Sequence, residues 1–159
     1  MRDKVSGRIS SRLIELGISL PSAPKPVASY SPFVINGNTI IVSGQVPLDQ
    51  GGLQYRGKLG RDFDVTEGQA AARLCCLNIL AQIENALDGD LDRVSRIVRL
   101  GGFVNCTDDF SEQPQVINGA SDLMLEVFGG IGRHARTAIG VNALPAGVAV
   151  EIDAIAEFR

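Results

Sequence analysis

A run of residues with strict period-two alternation, 135–143, is the feature of this chain that most constrains its fold. Its odd-numbered positions are Ala, Thr, Ile, Val and Ala, and its even-numbered positions are Arg, Ala, Gly and Asn. Such alternation is typical of a β-strand with two chemically different faces. Arg136 then lies among small neighbours that leave space before its guanidinium. A planar group with five N–H donors suits a carboxylate ligand, although an arginine at a strand start also commonly pairs with a surface acid.

A second alternating run, 148–158, follows after a Pro-Ala-Gly turn at 145–147 and predicts the last strand. Glu151 and Asp153 fall on the same face of this strand. Two neighbouring carboxylates raise the pKa of one of them. The alternative for Asp153 is that it is an ordinary surface acid.

The N-terminal half of the chain contains the strongest hairpin signal. The sequence Asn-Gly-Asn at 36–38 separates two apolar runs, 27–35 and 39–45, and predicts a β-hairpin. Ser43 and Gly44 lie at the end of its second strand. Gly44 either allows the backbone to approach a ligand closely or serves only the chain geometry.

Three segments have the apolar spacing of helices: 9–16, 66–87 and 113–128. Thr66 and Gln69 have the spacing of a capping box at the start of the second helix. The third helix is predicted to bury four apolar side chains, namely Val116, Leu123, Leu125 and Val127.

Between the two long helices, residues 94–106 predict a strand in which Gly101 and Gly102 form a β-bulge. A shorter strand is predicted at 53–55. The resulting order is strand, strand, helix, strand, helix, strand, strand, which favours an α+β fold: a two-layer structure in which a mixed β-sheet is backed by two helices. The opposite sheet face then needs cover, which favours oligomerisation through the sheet.

The length, composition and charge of the chain indicate one domain of a soluble protein. It has 159 residues, of which 45% are hydrophobic, and a net charge of −3. We divide it into a short helix with a Pro-rich connector at 1–26 and a single α+β domain at 27–159. No apolar run of about 18 residues predicts a membrane span and no leader pattern is present, so we expect a cytoplasmic protein with no membrane partner. The scattered basic residues and the absence of Trp argue against a nucleic-acid partner.

Cysteine and histidine usage argues against a metal site. The chain has one histidine, and its three cysteines lack the spacing of a zinc or redox pair. Cys75 and Cys76 are therefore interpreted as small apolar helix residues. We expect neither a metal nor a cofactor.

Three separated blocks of the sequence resemble the Rid family of reactive intermediate deaminases, also called YjgF-like or endoribonuclease L-PSP. Residues 36–47 resemble the block G-N-x-[IL]-[IFV]-x-S-G-Q-x-[PA]. Residues 135–145 resemble A-R-[ST]-x-[IV]-x-V-x-x-L-P, and residues 148–156 resemble the alternating block that contains the glutamate. The order and separation of the blocks identify a divergent branch of this family.

The resemblance implies a fold similar to Bacillus chorismate mutase and a homotrimer with sites between subunits. It implies hydrolysis of the C=N bond of 2-imino acids and their enamine tautomers, which gives 2-keto acids and ammonia without metal or cofactor. The partners would be a small carboxylate-bearing substrate and other copies of the chain.

The family's functional residues match particular positions of this sequence. Arg136 matches the arginine that holds the substrate carboxylate, and Glu151 matches the acid that activates water. Further positions match residues that line the pocket: Tyr30, Ser43, Gly44 and Asn118.

Two positions depart from the archetypal pattern. Ala138 replaces a cysteine two residues after the arginine, and His134 replaces a proline two residues before it. Because His134 and Arg136 share a strand face, the imidazole either enters the pocket as an acid, base or donor, or has no chemical role.

Two other functions compete with the deaminase. The protein could be a non-catalytic trimer that binds a small carboxylate as a metabolite sensor. It could also be a ribonuclease, which the composition does not favour.

Overall fold

The computed structural model describes residues 7–26 and 29–159. Its α-helices are α1 (Arg8–Glu15), α2 (Val65–Ala86) and α3 (Gln113–Phe128). Its strands are β1 (Phe33–Asn36), β2 (Thr39–Gln45), β3 (Leu48–Asp49), β4 (Gly52–Leu53), β5 (Val94–Asn105), β6 (Ala135–Val141) and β7 (Val150–Phe158). Within the described ranges, no helix is long and apolar enough to cross a membrane.

The main sheet has five strands in the order β1-β2-β7-β5-β6. β5 and β6 are parallel, whereas the other neighbouring pairs are antiparallel. α2 and α3 pack on each other and on one face of this sheet. The predicted α+β architecture, a mixed sheet backed by two long helices, is therefore confirmed.

Alternating side chains of the central strands form the core between the sheet and the helices. The positions that face the helices are buried, namely Ile40 and Val42 on β2 and Val150, Ile152, Ala154 and Ala156 on β7. Cys75 and Cys76 on α2 are also buried, as predicted. Burial raises the pKa of both thiols, so they are poor nucleophiles and act as packing residues.

The other face of the sheet carries aliphatic side chains that remain exposed. Val34 is 54% exposed, and Ile41, its register partner on β2, is 44% exposed. Ile139 on β6 is also 44% exposed. We call this surface the open face. Aliphatic side chains grouped on one sheet face are typical of a surface that packs against another layer or another chain.

The N-terminal helix and the connector pack on the same domain. Ile9 and Leu13 of α1 are buried in the common core, and α1 contacts α3. Gln82 of α2 donates from Nε2 to the carbonyl oxygen of Pro24 at 2.6 Å. A buried side chain of α2 therefore fixes the connector.

The predicted capping box at Thr66 is wrong, because the N-cap of α2 lies two residues earlier. Asp64 is the N-cap: its carboxylate accepts the Glu67 N–H at 2.8 Å, and its own N–H donates to the Glu67 carboxylate at 2.9 Å. Gln69 instead donates to the carbonyl oxygen of Gln115 on α3 at 2.9 Å. The carboxylates also lie at the positive end of the helix dipole.

The predicted bulge at Gly101 and Gly102 is also wrong. β5 pairs with β7 in continuous register through both residues, and its irregularities lie nearer the start of the strand. A Cβ at Gly102 would lie 2.6 Å from Ile117 of α3, and one at Gly101 would lie 2.5 Å from the Asp153 carboxylate. The two glycines therefore allow close packing on both sheet faces.

Three smaller expectations need correction or limits. The first strand is predicted over 27–35, but β1 is shorter and covers Phe33–Asn36. Val27 and Ala28 lie outside the described residues. The short strand at 53–55 is replaced by the hairpin of β3 and β4. Leu125 is 36% exposed, so it does not belong to the core, unlike the three other side chains predicted with it.

We expect Gly119→Ala to destabilise the protein. A Cβ at Gly119 would overlap the backbone carbonyl oxygen of Gln69 where α3 crosses α2. Overpacking of this kind costs about 1–3 kcal/mol, although alanine alone favours a helix by about 1 kcal/mol. Urea denaturation would measure the free energy of unfolding. The control is Gly130→Ala, whose Cβ meets no atom within 4 Å; equal stability of the two variants would contradict the assignment.

Candidate active site

The predicted site residues fall into two groups on opposite faces of the sheet. The first group surrounds Arg136 at the edge strand β6 and includes side chains of α3. The second group surrounds Glu151 on β7. We call the first group the arginine cluster (Pro114, Asn118, Ser121, His134 and Arg136). We call the cavity that Glu151 lines together with Tyr30 and Gly44 the glutamate cavity.

In the arginine cluster, α3 holds the guanidinium of Arg136. Nη1 donates to Asn118 Oδ1 at 2.8 Å and to Ser121 Oγ at 3.1 Å. Nη2 donates to the carbonyl oxygen of Pro114 at 3.1 Å. These contacts use three of the five N–H donors, so within the described structure the Nε–H and one Nη2–H are left for a ligand. Arg136 is half-buried and has a fixed orientation.

His134 lies next to this guanidinium, in line with the shared face predicted for it. Its Nε2 lies 2.9 Å from Ser121 Oγ, and its Nδ1 lies 2.7 Å from the carbonyl oxygen of Gly132. Burial lowers the pKa of His134, and the positive charge of Arg136 lowers it further. The hydrogen bond to Gly132 acts in the opposite direction, but the net effect is a lowered pKa. The neutral imidazole is therefore favoured at neutral pH.

The glutamate cavity has a volume of about 310 Å³ and opens beside Glu151. Tyr30 and Gly44, two residues predicted for the pocket, line it together with Glu151. The connector adds residues that the sequence did not predict for the site, Pro24 and Lys25. Most of the remaining lining is apolar, including Pro32, Val46, Leu48 and Leu53. The cavity can therefore hold a ligand with an apolar part close to a carboxylate.

Gly44 lines this cavity at the irregular end of β2, where the register with β7 shifts, whereas Ser43, also predicted for the pocket, is not among its described lining residues. Ser43 Oγ donates to the carbonyl oxygen of Ser31 at 2.6 Å, which fixes the segment that follows Tyr30. A Cβ at Gly44 would overlap the carboxylate of Glu151. The close approach that the sequence suggested for a ligand at Gly44 is therefore an approach of the Glu151 side chain on β7.

The carboxyl group of Glu151 is half-buried, and burial raises its pKa. The negative charge of Asp153, on the same strand face, raises it further. Asp153 accepts a hydrogen bond from Arg99 Nη1 at 3.1 Å, and Arg99 Nη2 lies 3.4 Å from Thr137 Oγ1. Asp153 is therefore part of an ordered network on the open face.

The register shows that the two groups do not meet within one chain. Arg136 pairs with Leu100, which is buried below the helices, so Arg136 points to the helical side. Glu151 pairs with Phe103, which also pairs with the exposed Ile139, so Glu151 points to the open face. Two strand spacings and three residues along the strand separate their backbones by roughly 14 Å.

Sequence reasoning did not predict Ser121 for the arginine cluster. Its spacing of three from Asn118 places both side chains on one face of α3, and this is the signal that was available. Within the described ranges, no three His, Cys, Asp or Glu side chains lie close enough together to hold a metal ion.

This fold and these two groups define a class: a two-layer α+β protein with a fixed arginine at an edge strand and a glutamate on the open face. The family described as YjgF/chorismate mutase-like, a group of candidate endoribonucleases, matches residues 10–157. The chain belongs to this family, which is the Rid family that the three sequence blocks predict.

Individual relatives support the same assignment. Protein TCP17 of Trypanosoma cruzi is 52% identical over 155 residues, which are 97% of this chain and 96% of that protein. A crystal structure of a protein of unknown function from Agrobacterium tumefaciens shares 50% identity with a TM-score of 0.88, over 95% of this chain and 94% of its own. A 2-iminobutanoate/2-iminopropanoate deaminase of Dermatophagoides farinae is 29% identical over 140 residues, which are 87% of this chain and 92% of that protein.

We expect Asp153→Asn to lower the pKa of Glu151. The substitution removes the negative charge that disfavours ionisation of Glu151, and it leaves the cation of Arg99 without its partner. NMR titration of ¹³C-labelled glutamate carboxyl groups would measure the pKa, with Glu151→Gln used to assign the signal. Glu157→Gln, on the same face of β7, is the control. An unchanged or higher pKa of Glu151 in Asp153→Asn would refute the coupling.

Proposed function

We propose that this protein hydrolyses 2-imino acids and their enamine tautomers to 2-keto acids and ammonia, at a site shared by adjacent copies in a homotrimer. The observation that carries the proposal is the position of its two charged residues. Arg136 is held with free donors at an edge strand, and Glu151 lies with a raised pKa on the opposite sheet face. Membership of the Rid family and the deaminase relative support the same reaction.

Arg136 would hold the carboxylate of the substrate. The Nε–H and the remaining Nη2–H can donate to the carboxylate oxygens, while Asn118, Ser121 and Pro114 keep the guanidinium in place. A fixed binding group orients the neighbouring imine carbon at little entropic cost during the reaction.

Glu151 would act as the general base. It takes a proton from water as the water oxygen attacks the iminium carbon, which gives a tetrahedral amino alcohol. Glu151 then gives this proton to the nitrogen, and the C–N bond breaks. Ammonia leaves as the hydroxyl proton passes to Glu151 and the C=O bond forms. A carboxylate with a raised pKa is a stronger base than an exposed one, so the environment of Glu151 favours this role.

The open face supplies the reason for oligomerisation. Its exposed aliphatic residues, with Ile41 and Ile139 among them, have no covering layer within the described chain. If the open face of one copy packs at the edge strand β6 of its neighbour, its Glu151 would also approach the neighbour's Arg136. The oligomer and the complete site are therefore parts of one proposal.

We expect the wild-type protein to accelerate the release of 2-keto acid from an amino acid that is oxidised in situ, with semicarbazide to trap the imine. Glu151→Gln should lower kcat about 10²–10⁴-fold, because the base is lost. Arg136→Lys should mainly raise KM, because a lysine does not form the paired hydrogen bonds. Glu157→Gln is the matched control on β7.

No acceleration over a panel of amino acids would exclude the deaminase. If 2-keto acids still raise the melting temperature, the protein is instead a carboxylate-binding protein without turnover.

A mixing experiment tests the shared site. In a trimer assembled from equal amounts of Arg136→Ala and Glu151→Gln chains, about one quarter of the sites should combine an intact arginine with an intact glutamate from different chains. The mixture should therefore regain about one quarter of the wild-type rate after joint refolding, whereas each variant alone is inactive. If both residues act within one chain, mixing restores no activity.

A further inference from the structure

The arginine cluster contains a hydrogen-bonded chain that ends in the single histidine of the protein. Arg136 Nη1 donates to Ser121 Oγ at 3.1 Å, Ser121 Oγ lies 2.9 Å from His134 Nε2, and His134 Nδ1 lies 2.7 Å from the carbonyl oxygen of Gly132. Both ring nitrogens are therefore engaged with the protein, and neither is left to contact a substrate.

The direction of every hydrogen bond in this chain follows from its two ends. A carbonyl oxygen only accepts, so the Nδ1 of His134 carries the proton that it shares with Gly132. In the neutral ring Nε2 is then an acceptor, and the Ser121 hydroxyl donates to it. The lone pairs of Ser121 Oγ remain available for the guanidinium, which only donates.

We propose that His134 is a positioning residue: through Ser121 it fixes the guanidinium of Arg136 for the substrate carboxylate. This inference rests on the proposed function for the identity of the ligand, but the hydrogen-bonded chain itself does not. Without the imidazole, the Ser121 hydroxyl could turn its proton towards the guanidinium, and one of the three contacts that hold Arg136 would be lost.

Protonation of His134 would reverse the direction of the hydrogen bond between Ser121 and His134. Nε2–H would then donate to Ser121, and the hydroxyl proton would have no acceptor among the described contacts of that residue. The charged group that acts on the ring is Arg136. Asp122 and Arg133 are exposed, Glu126 of α3 pairs with Arg73, and Arg99 of β5 pairs with Asp153 on the other sheet face. Protonation of His134 would therefore remove the acceptor that orients the Ser121 hydroxyl.

The first experiment uses ¹⁵N-histidine-labelled protein that carries no histidine tag. Because the chain has one histidine, its long-range ¹H–¹⁵N spectrum needs no assignment. We expect the Nδ1–H tautomer and an altered Nε2 shift in Ser121→Ala. The Nε2–H tautomer, or a spectrum that Ser121→Ala leaves unchanged, would overturn the inference whether or not the protein is a deaminase.

The second experiment separates positioning from a direct catalytic role. Ser121→Ala and His134→Ala should each raise KM about tenfold with little change in kcat, and the double variant should be no worse than either one. His134→Gln, whose amide oxygen can accept from Ser121, should recover part of the loss, and Arg133→Gln is the control. Additive losses, or a fall in kcat alone, would overturn the inference.

The two proposals fail separately. If the wild-type protein has no turnover, the proposed function fails, and calorimetric titration with 2-ketobutyrate in the same variants replaces KM. If turnover is present but His134→Ala binds and reacts as the wild type does, only the positioning role fails.

Discussion

Period-two alternation in β6, β7 and the second half of β5 is the constraint on which both groups of polar residues depend. On β7, Ile152 and Ala154 face the helices and are fully buried, so the intervening residues must face the other way. A register slip of one residue would bury Glu151 and expose the core. The hydrophobic core therefore fixes the side of the sheet on which the carboxylate lies, and the same rule places Arg136 on the helical side.

The edge position of β6 explains why a charged residue is tolerated on that helical side. No strand lies beyond β6 in the described sheet, so the long side chain of Arg136 reaches the border of the core. There α3 meets it with polar groups, Asn118 and Ser121, in place of apolar ones. A central strand would have placed the guanidinium in the dry interior, where an unpaired charge is costly.

Much of the fold and part of the candidate site could be predicted from local patterns. Helix α2, the hairpin around Gly37 and the final two strands follow from periodicity and turn chemistry within short windows. The pair Gly101 and Gly102 shows the limit of this reasoning. Their role depends on Asp153 and Ile117, which are distant in sequence, and no local pattern reveals what lies opposite a glycine.

By itself, the sequence determined on which strands Arg136 and Glu151 lie and which residues share a face with them, because side-chain alternation is a local property. It also placed His134 and Arg136 on one face. Only the tertiary structure decided that α3 supplies Ser121 between them, that the connector lines the glutamate cavity, and that Arg136 and Glu151 lie on opposite sheet faces. These facts depend on strand order and register, which are set by packing between segments far apart in the chain.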